Sequence, residues 1–331
     1  MNVCDKEYKN LTLRLGFALL LMLVLLQGLM TVLGFGQMLF ETFLSEKVSN
    51  LLYWGLYNVF YFASFMLPVP FFMLISKKHK SERIALNVRF PKHFALLAVS
   101  CVGIITAAGQ INSLLVSPFV GENTSTQVLL DLISRDNGYM VVLIFVMLVI
   151  VPPFCEEFLF RGLVLGNLLP YGKGMAIVGS ALLFGMMHQS FLQFLYTVIA
   201  GVLLGLLYVE GGSIWPSTLV HMLNNLLSFV QIVIMARVQD EMLANRIMIC
   251  MNLLVIFAGC MCTLILVLKS KNQLNQPKRM ESLLGYSPDR ATPKALSSGV
   301  ALRGLFSPSV IIFIVLCVIM AVLNLILEAA L

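Results

Sequence analysis

The chain has 331 residues, 59% of them hydrophobic and only 11% charged, with a mean hydropathy of +0.93. A soluble domain carries about 25% charged residues, so this composition excludes a water-soluble globular protein and points to an all-α, polytopic transmembrane helical bundle. The net charge of +6 does not point to nucleic acid as a partner, because the basic residues sit in connections between apolar stretches. Those stretches are long and continuous, which excludes an alternating outer-membrane barrel.

Nine spans are expected, near 15–39, 51–75, 94–116, 139–166, 174–189, 191–209, 213–236, 247–268 and 308–330. The first is too long for a signal-peptide core of about 7–15 residues and reads as a retained helix. The fifth is short for a hydrocarbon core of about 30 Å, so it is expected inside the bundle rather than facing lipid. Two connections are strongly basic. The stretch 77–92, "KKHKSERIALNVRFPK", has six Lys/Arg against one Glu, and Lys269 to Arg303 has seven against Glu281 and Asp289. Excess Lys and Arg mark cytoplasmic loops. Nine alternating spans then place the N-terminus in the cytoplasm and the C-terminus outside, with a bacterial plasma membrane as the expected location. The chain divides into N-terminal helices with the basic loop (1–93), a catalytic bundle (94–268), a polar linker (269–307) and a last helix (308–331). Within the loop after the third span, "STQVLLDLISR" sets Val128, Leu129, Leu132 and Ile133 on one helical face. That face suits either the outer membrane interface or packing on the bundle. The seven cysteines form no C-x-x-C pair and read as small apolar residues. Gly201 and Gly205 form a G-x-x-x-G step suited to close helix packing.

The fourth span contains "FCEEFLFRG", residues 154–162. An ionisable residue at membrane depth costs roughly 2.5–3.5 kcal/mol on insertion scales and is a functional-site hypothesis by default. Glu157 and Arg161 stand at i, i+4 in the favourable acid-first order and are expected to neutralise each other. Glu156 lies about 100° around the helix and is the better candidate for a reactive carboxylate. Pro152 and Pro153 should weaken the backbone ladder just before the acids. His188, from "FGMMH", and His221 with Asn225, from "HMLNN", are the other embedded polar residues, whereas His79 and His93 belong to the basic loop. Counted inward from Leu168, Gly174 and Ser213 at 1.5 Å per residue, Glu157, His188 and His221 lie about 17, 21 and 12 Å deep. They therefore share one layer. A carboxylate beside a neutral imidazole can take a proton from water, and a second imidazole with an amide can donate to a developing oxyanion. A metal version would use Glu156, His188 and His221 as a zinc set, although no H-E-x-x-H motif favours zinc. Phe184 and Cys155 read as packing residues.

The three motifs, E-E-x-x-x-R in "EEFLFR", F-x-x-x-H in "FGMMH" and H-x-x-x-N in "HMLNN", occur in the order of a known family. From about Tyr139 to Ser228 the chain resembles the CPBP group of CAAX prenyl proteases and bacteriocin-processing, Abi-like intramembrane endopeptidases. The resemblance implies that Glu156 and His188 activate water, that His221 and Asn225 stabilise the oxyanion, and that Glu157 and Arg161 support the site. The family is described both as metalloproteases and as glutamic proteases; the glutamic type without a cofactor is favoured here, with zinc as the alternative. The partners the resemblance implies are membrane lipid and a membrane-associated peptide or lipidated protein substrate: a prenylated C-terminus, a leader peptide or a pheromone. Two other classes fit the composition. A non-catalytic immunity or scaffold protein would tolerate loss of Glu156. A proton-coupled transporter would usually carry an internal repeat, and none is evident.

Overall fold

The computed structural model describes residues 3–76, 84–116, 124–135, 138–274 and 299–330. Among them there is no strand. The helices are α1 (Val3–Phe43), α2 (Glu46–Met66), α3 (Pro68–Ile75), α4 (Phe94–Val116), α5 (Thr124–Arg135) and α6 (Tyr139–Tyr171). They continue with α7 (Lys173–Met187), α8 (Phe191–Gly211), α9 (Trp215–Arg237), α10 (Glu241–Leu274), α11 (Val300–Leu305) and α12 (Pro308–Ala330). Among the described residues, eight segments suffice by length and composition to cross a membrane, with α2 and α3 counted as one. The one expected span left over, the fifth (174–189), is α7. Its 15 residues rise about 22 Å, short of a core of about 30 Å. Ala176, Ile177, Ser180, Ala181, Phe184 and Met187 are all buried, so α7 lies inside the bundle as its length demands. The protein is an integral membrane helical bundle.

Most of the main core is built around α1, α6 and α7, with Phe65, Val69 and Phe72 from α2–α3 and Val310, Phe313 and Cys317 from α12. The last helix is thus seated on α1. Ser309 donates from Oγ to Leu13 O at 2.7 Å. A second cluster joins Ile133 of α5 to Ile144, Met147 and Phe229. The amphipathic stretch 124–135 therefore packs on α9 and α6 through Ile133, while Val128 stays exposed. Helices α7 and α8 approach closely because Gly201 faces Ala181: a Cβ on Gly201 would come within 2.9 Å of the Ala181 Cα. Most of the linker expected over 269–307 lies outside the described residues, and its flanks are helical, since α10 reaches Leu274 and α11 begins at Val300.

The basic connection is described from Ile84 onward. It is strapped across the start of α9. The Ile214 N–H donates to Ala85 O at 3.0 Å, and Trp215 Nε1 donates to Leu86 O at 2.8 Å.

Candidate active site

Helix α6 is where the backbone departs from regularity. Around residues 146–150 the turn widens, with the Val151 N–H donating to Val146 O, five residues back. A second wide turn covers 158–165, where the Gly166 N–H donates to Arg161 O. The first follows from the two prolines. The carbonyl of Leu148 would be met by the N–H of residue 152 in an α-helix, or of residue 153 in a wide turn, and both are proline. A carbonyl without a partner inside apolar surroundings is costly. Asn225 of α9 supplies the partner: its Nδ2 donates to Leu148 O at 2.9 Å. Pro152 and Pro153 thus fix where α9 must dock, and Asn225 is the residue that docks it. Nδ2 keeps a second hydrogen for another acceptor.

One turn further on, the acids diverge as their helical positions dictate. Glu157 is fully buried and its Oε1 lies 3.0 Å from Nη1 of Arg161, also fully buried. Arg161 continues through Nη2 to Gly201 O at 3.3 Å and lies over the Phe184 ring at 4.4 Å. Burying such a pair is tolerable only when both charges are compensated and hydrogen-bonded. Here the guanidinium finds a carboxylate, the Gly201 carbonyl and an aromatic face, while Arg161 Nε and Nη1 and Glu157 Oε2 are buried without a hydrogen bond. His221 joins the same carboxylate, its Nδ1 lying 3.1 Å from Glu157 Oε1. A proton on Nδ1 therefore donates to Glu157 and turns Nε2 the other way.

That direction is toward Glu156. Its carboxylate is buried, and its Oε2 lies 3.8 Å from His221 Nε2 with no hydrogen-bond partner of its own. The other oxygen, Oε1, accepts a 2.6 Å bond from the hydroxyl of Tyr61 on α2. His188 caps the end of α7, and its Nδ1 lies 2.9 Å from Phe184 O. With the proton on Nδ1, Nε2 is left as an acceptor. The Phe184 ring stands edge-on to both imidazoles, 4.9 Å from His188 and 5.8 Å from His221. Immediately after His188 the chain turns at Gln189, a non-glycine residue with φ of 51°. A left-handed conformation there costs of the order of 1–3 kcal/mol and persists only where surroundings hold it. They do: Gln27 of α1 donates to Gln189 Oε1 at 2.8 Å, and Asn324 of α12 donates to Gln189 O at 3.2 Å.

The structure therefore gathers Glu156, Glu157, Arg161 and His221 into direct contact. It ties Asn225 to the α6 backbone and sets His188 across the Phe184 ring. Among the described residues, no group of three or more His, Cys, Asp and Glu is placed closely enough to hold an ion. Cys155 is fully buried packing. Phe184 packs against the Arg161 guanidinium and against both imidazoles. Sequence reasoning missed Tyr61, Gln27, Gln189 and Asn324. A signal existed for Tyr61: Tyr57, Tyr61 and Phe65 repeat at i, i+4 and stack in the structure. For the three amides there was none, because their partnership joins helices from opposite ends of the chain.

Comparison with known proteins bears on this segment. Residues 138–227 match the family of type II CAAX prenyl endopeptidases described as Rce1-like. Over this stretch the chain is similar to Rce1-like endopeptidases. The match covers little more than a quarter of the chain, and Glu156, Glu157, Arg161, His188, His221 and Asn225 all fall inside it. No curated protein and no solved structure matches the chain. The matched stretch lies here within a membrane-spanning bundle.

Proposed function

We propose that the protein hydrolyses a peptide bond of a membrane-associated substrate, with Glu156 as the base that activates water. The observation that carries this is the environment of Glu156. One carboxylate oxygen is buried without a partner, aimed at an imidazole that Glu157 holds in a single orientation. Water bonded to Oε2 gives up a proton to Glu156, assisted by His188, as its oxygen bonds to the peptide carbon. The carbonyl pair moves onto oxygen, and the oxyanion accepts hydrogen bonds from His221 Nε2 and the second hydrogen of Asn225 Nδ2. Donation from Nε2 requires the doubly protonated ring, and Glu157 at Nδ1 supplies its counter-charge. Two carboxylates, one guanidinium and one imidazolium then sum to zero, which suits a buried cluster. When the C–N bond breaks, the proton held by Glu156 passes to the departing amine.

The substrate class is a lipidated protein C-terminus of the CAAX type, with leader or pheromone peptides as further members, reaching the site from the bilayer or the cytoplasmic face. The mechanism is of the glutamic type and uses no cofactor. We place the protein in a bacterial plasma membrane with its N-terminus in the cytoplasm. Purified protein is assayed on a farnesylated CAAX peptide, comparing wild type with Glu156→Ala and His188→Ala, with and without chelator. Both substitutions are expected to abolish cleavage and chelator to leave it unchanged. Cleavage by Glu156→Ala would overturn the role of Glu156. Loss with chelator restored by zinc would overturn the metal-free reading.

A further inference from the structure

Glu156 has two oxygens, and the structure treats them differently. Oε1 is taken by the Tyr61 hydroxyl at 2.6 Å, while Oε2 has no hydrogen bond and faces His221 Nε2 at 3.8 Å. Tyr61 comes from α2, far outside the Rce1-like segment at 138–227. Its ring cannot swing freely. It is stacked between Tyr57 and Phe65, with centroids 6.3 and 4.7 Å away and interplanar angles of 20° and 21°. Phe65 is itself fully buried in the main core, and Tyr57 packs against the cluster of Ile133, Ile144 and Phe229. An aromatic ladder anchored at both ends thus presents one hydroxyl to one carboxylate oxygen.

We propose that Tyr61 is a positioning residue of the hydrolytic site, holding Oε1 of Glu156 so that Oε2 is the oxygen that receives the proton of the attacking water. This rests on the reading of Glu156 as the base. A carboxylate free to rotate about its last torsion presents either oxygen in several orientations. A short O–H···O bond to one oxygen removes that freedom and aims the lone pairs of the other. The phenol also sets a hydrogen-bond donor beside a buried acid on an apolar helix, offsetting part of the water lost on burial. The arrangement makes α2 part of the catalytic unit, although the Rce1-like segment begins at residue 138.

The test uses the full-length protein in lipid nanodiscs with a farnesylated CAAX peptide. Tyr61→Phe keeps the ring and its stacking and removes only the hydroxyl. Tyr57→Phe removes a hydroxyl from the same ladder, and Glu156→Gln removes the base. Tyr61→Phe is expected to lower kcat about 10- to 100-fold, the range for a hydrogen bond to a charged group. KM should stay within about two-fold, and Tyr57→Phe should stay near wild type. Infrared difference spectra give a readout that a merely structural role would not move. The carboxylate band that disappears in Glu156→Gln should be displaced in Tyr61→Phe and unmoved in Tyr57→Phe. If Tyr61→Phe does not fold, Glu156→Gln alone serves, because weakening the acceptor must shift the tyrosine C–O stretch. Unchanged kcat and an unmoved band in Tyr61→Phe overturn the proposal, as does an equal loss in Tyr57→Phe. An inactive Glu156→Gln beside a fully active Tyr61→Phe refutes the role of Tyr61 alone. A Glu156→Gln protein that cleaves normally refutes the base itself, and this role with it.

Discussion

Helices α6 and α10 are nearly equal in apolarity and opposite in situation. The most apolar windows have mean hydropathy 2.3 in α6 and 2.5 in α10, yet 39% of the first is buried inside the protein and only 6% of the second. In water such apolarity would draw both inward. In lipid it draws neither, because hydrocarbon solvates Leu as well as a protein core does. What pulls α6 to the centre is its polar content: Glu156, Glu157, Arg161 and the carbonyl left open by two prolines all require partners that lipid lacks. Helix α10 asks little. It leans on α4 where Gly103 and Gly259 meet, a Cβ on Gly103 coming 2.6 Å from the Gly259 Cα, and Ser100 and Thr263 share a 2.6 Å bond. Between these two helices, it is the unmet polarity of α6 that sets the buried one apart from the exposed one.

Matched substitutions in the two helices and in the helices packed against them should separate the two, beginning with charge. Arg161→Met leaves Glu157 buried without its guanidinium, at a cost of about 3–5 kcal/mol. Thermal unfolding in detergent should show a steep loss of stability or failure to accumulate, whereas Arg246→Met on exposed α10 should shift it by less than about 0.5 kcal/mol. Equal effects would end the contrast. Next come the two glycine contacts. Leucine at either Gly201 or Gly103 overpacks a helix pair by about 1–3 kcal/mol. Gly201→Leu should also abolish cleavage, because Gly201 O carries Arg161, while Gly103→Leu should loosen α10 and leave kcat intact. Two asparagines offer the third pair. Asn225→Ala orphans Leu148 O and should lose about 1–3 kcal/mol together with activity. Asn252→Ala, which breaks a 2.6 Å bond from Gln231, should lose about 1 kcal/mol or less with activity retained in the peptide assay.

Smaller effects sharpen the boundary of the site. Asn324→Ala frees the turn after His188 on one side only, so kcat should fall a few-fold while the melting temperature barely moves. A melting temperature that falls in step with kcat would mean that α12 is merely packed there. Last, Leu253→Ala, at a residue 61% exposed on α10, should alter neither stability beyond about 0.5 kcal/mol nor turnover. A larger loss would reveal that this face is covered by something other than lipid.

Much of this was legible in the residues themselves. The i, i+4 spacing of Glu157 and Arg161 foretold their ion pair, and the separation of Glu156 from it follows from a 100° step. The shortness of α7 foretold its burial. The prolines announced a disturbed ladder, but the sequence did not say that Asn225 would mend it. An amide one turn from His221 reads as a partner to that histidine, and its attachment to Leu148 O depends on how α9 leans against α6. The stretch after the third span left two placements open, and only the position of Phe229 decided that Ile133 turns inward.

What the sequence determined by itself was a membrane-embedded helical bundle and three motifs whose ionisable side chains lipid cannot satisfy, because hydropathy and helical periodicity are properties of neighbouring residues. What only the tertiary structure decided was the company those side chains keep. Tyr61 on one oxygen of Glu156, Glu157 behind His221, and Gln27 with Asn324 around the turn after His188 join residues separated by many tens to more than a hundred positions. Such pairings leave no periodic trace, for they are fixed by where helices cross, and helix crossing is set by packing that no single segment encodes.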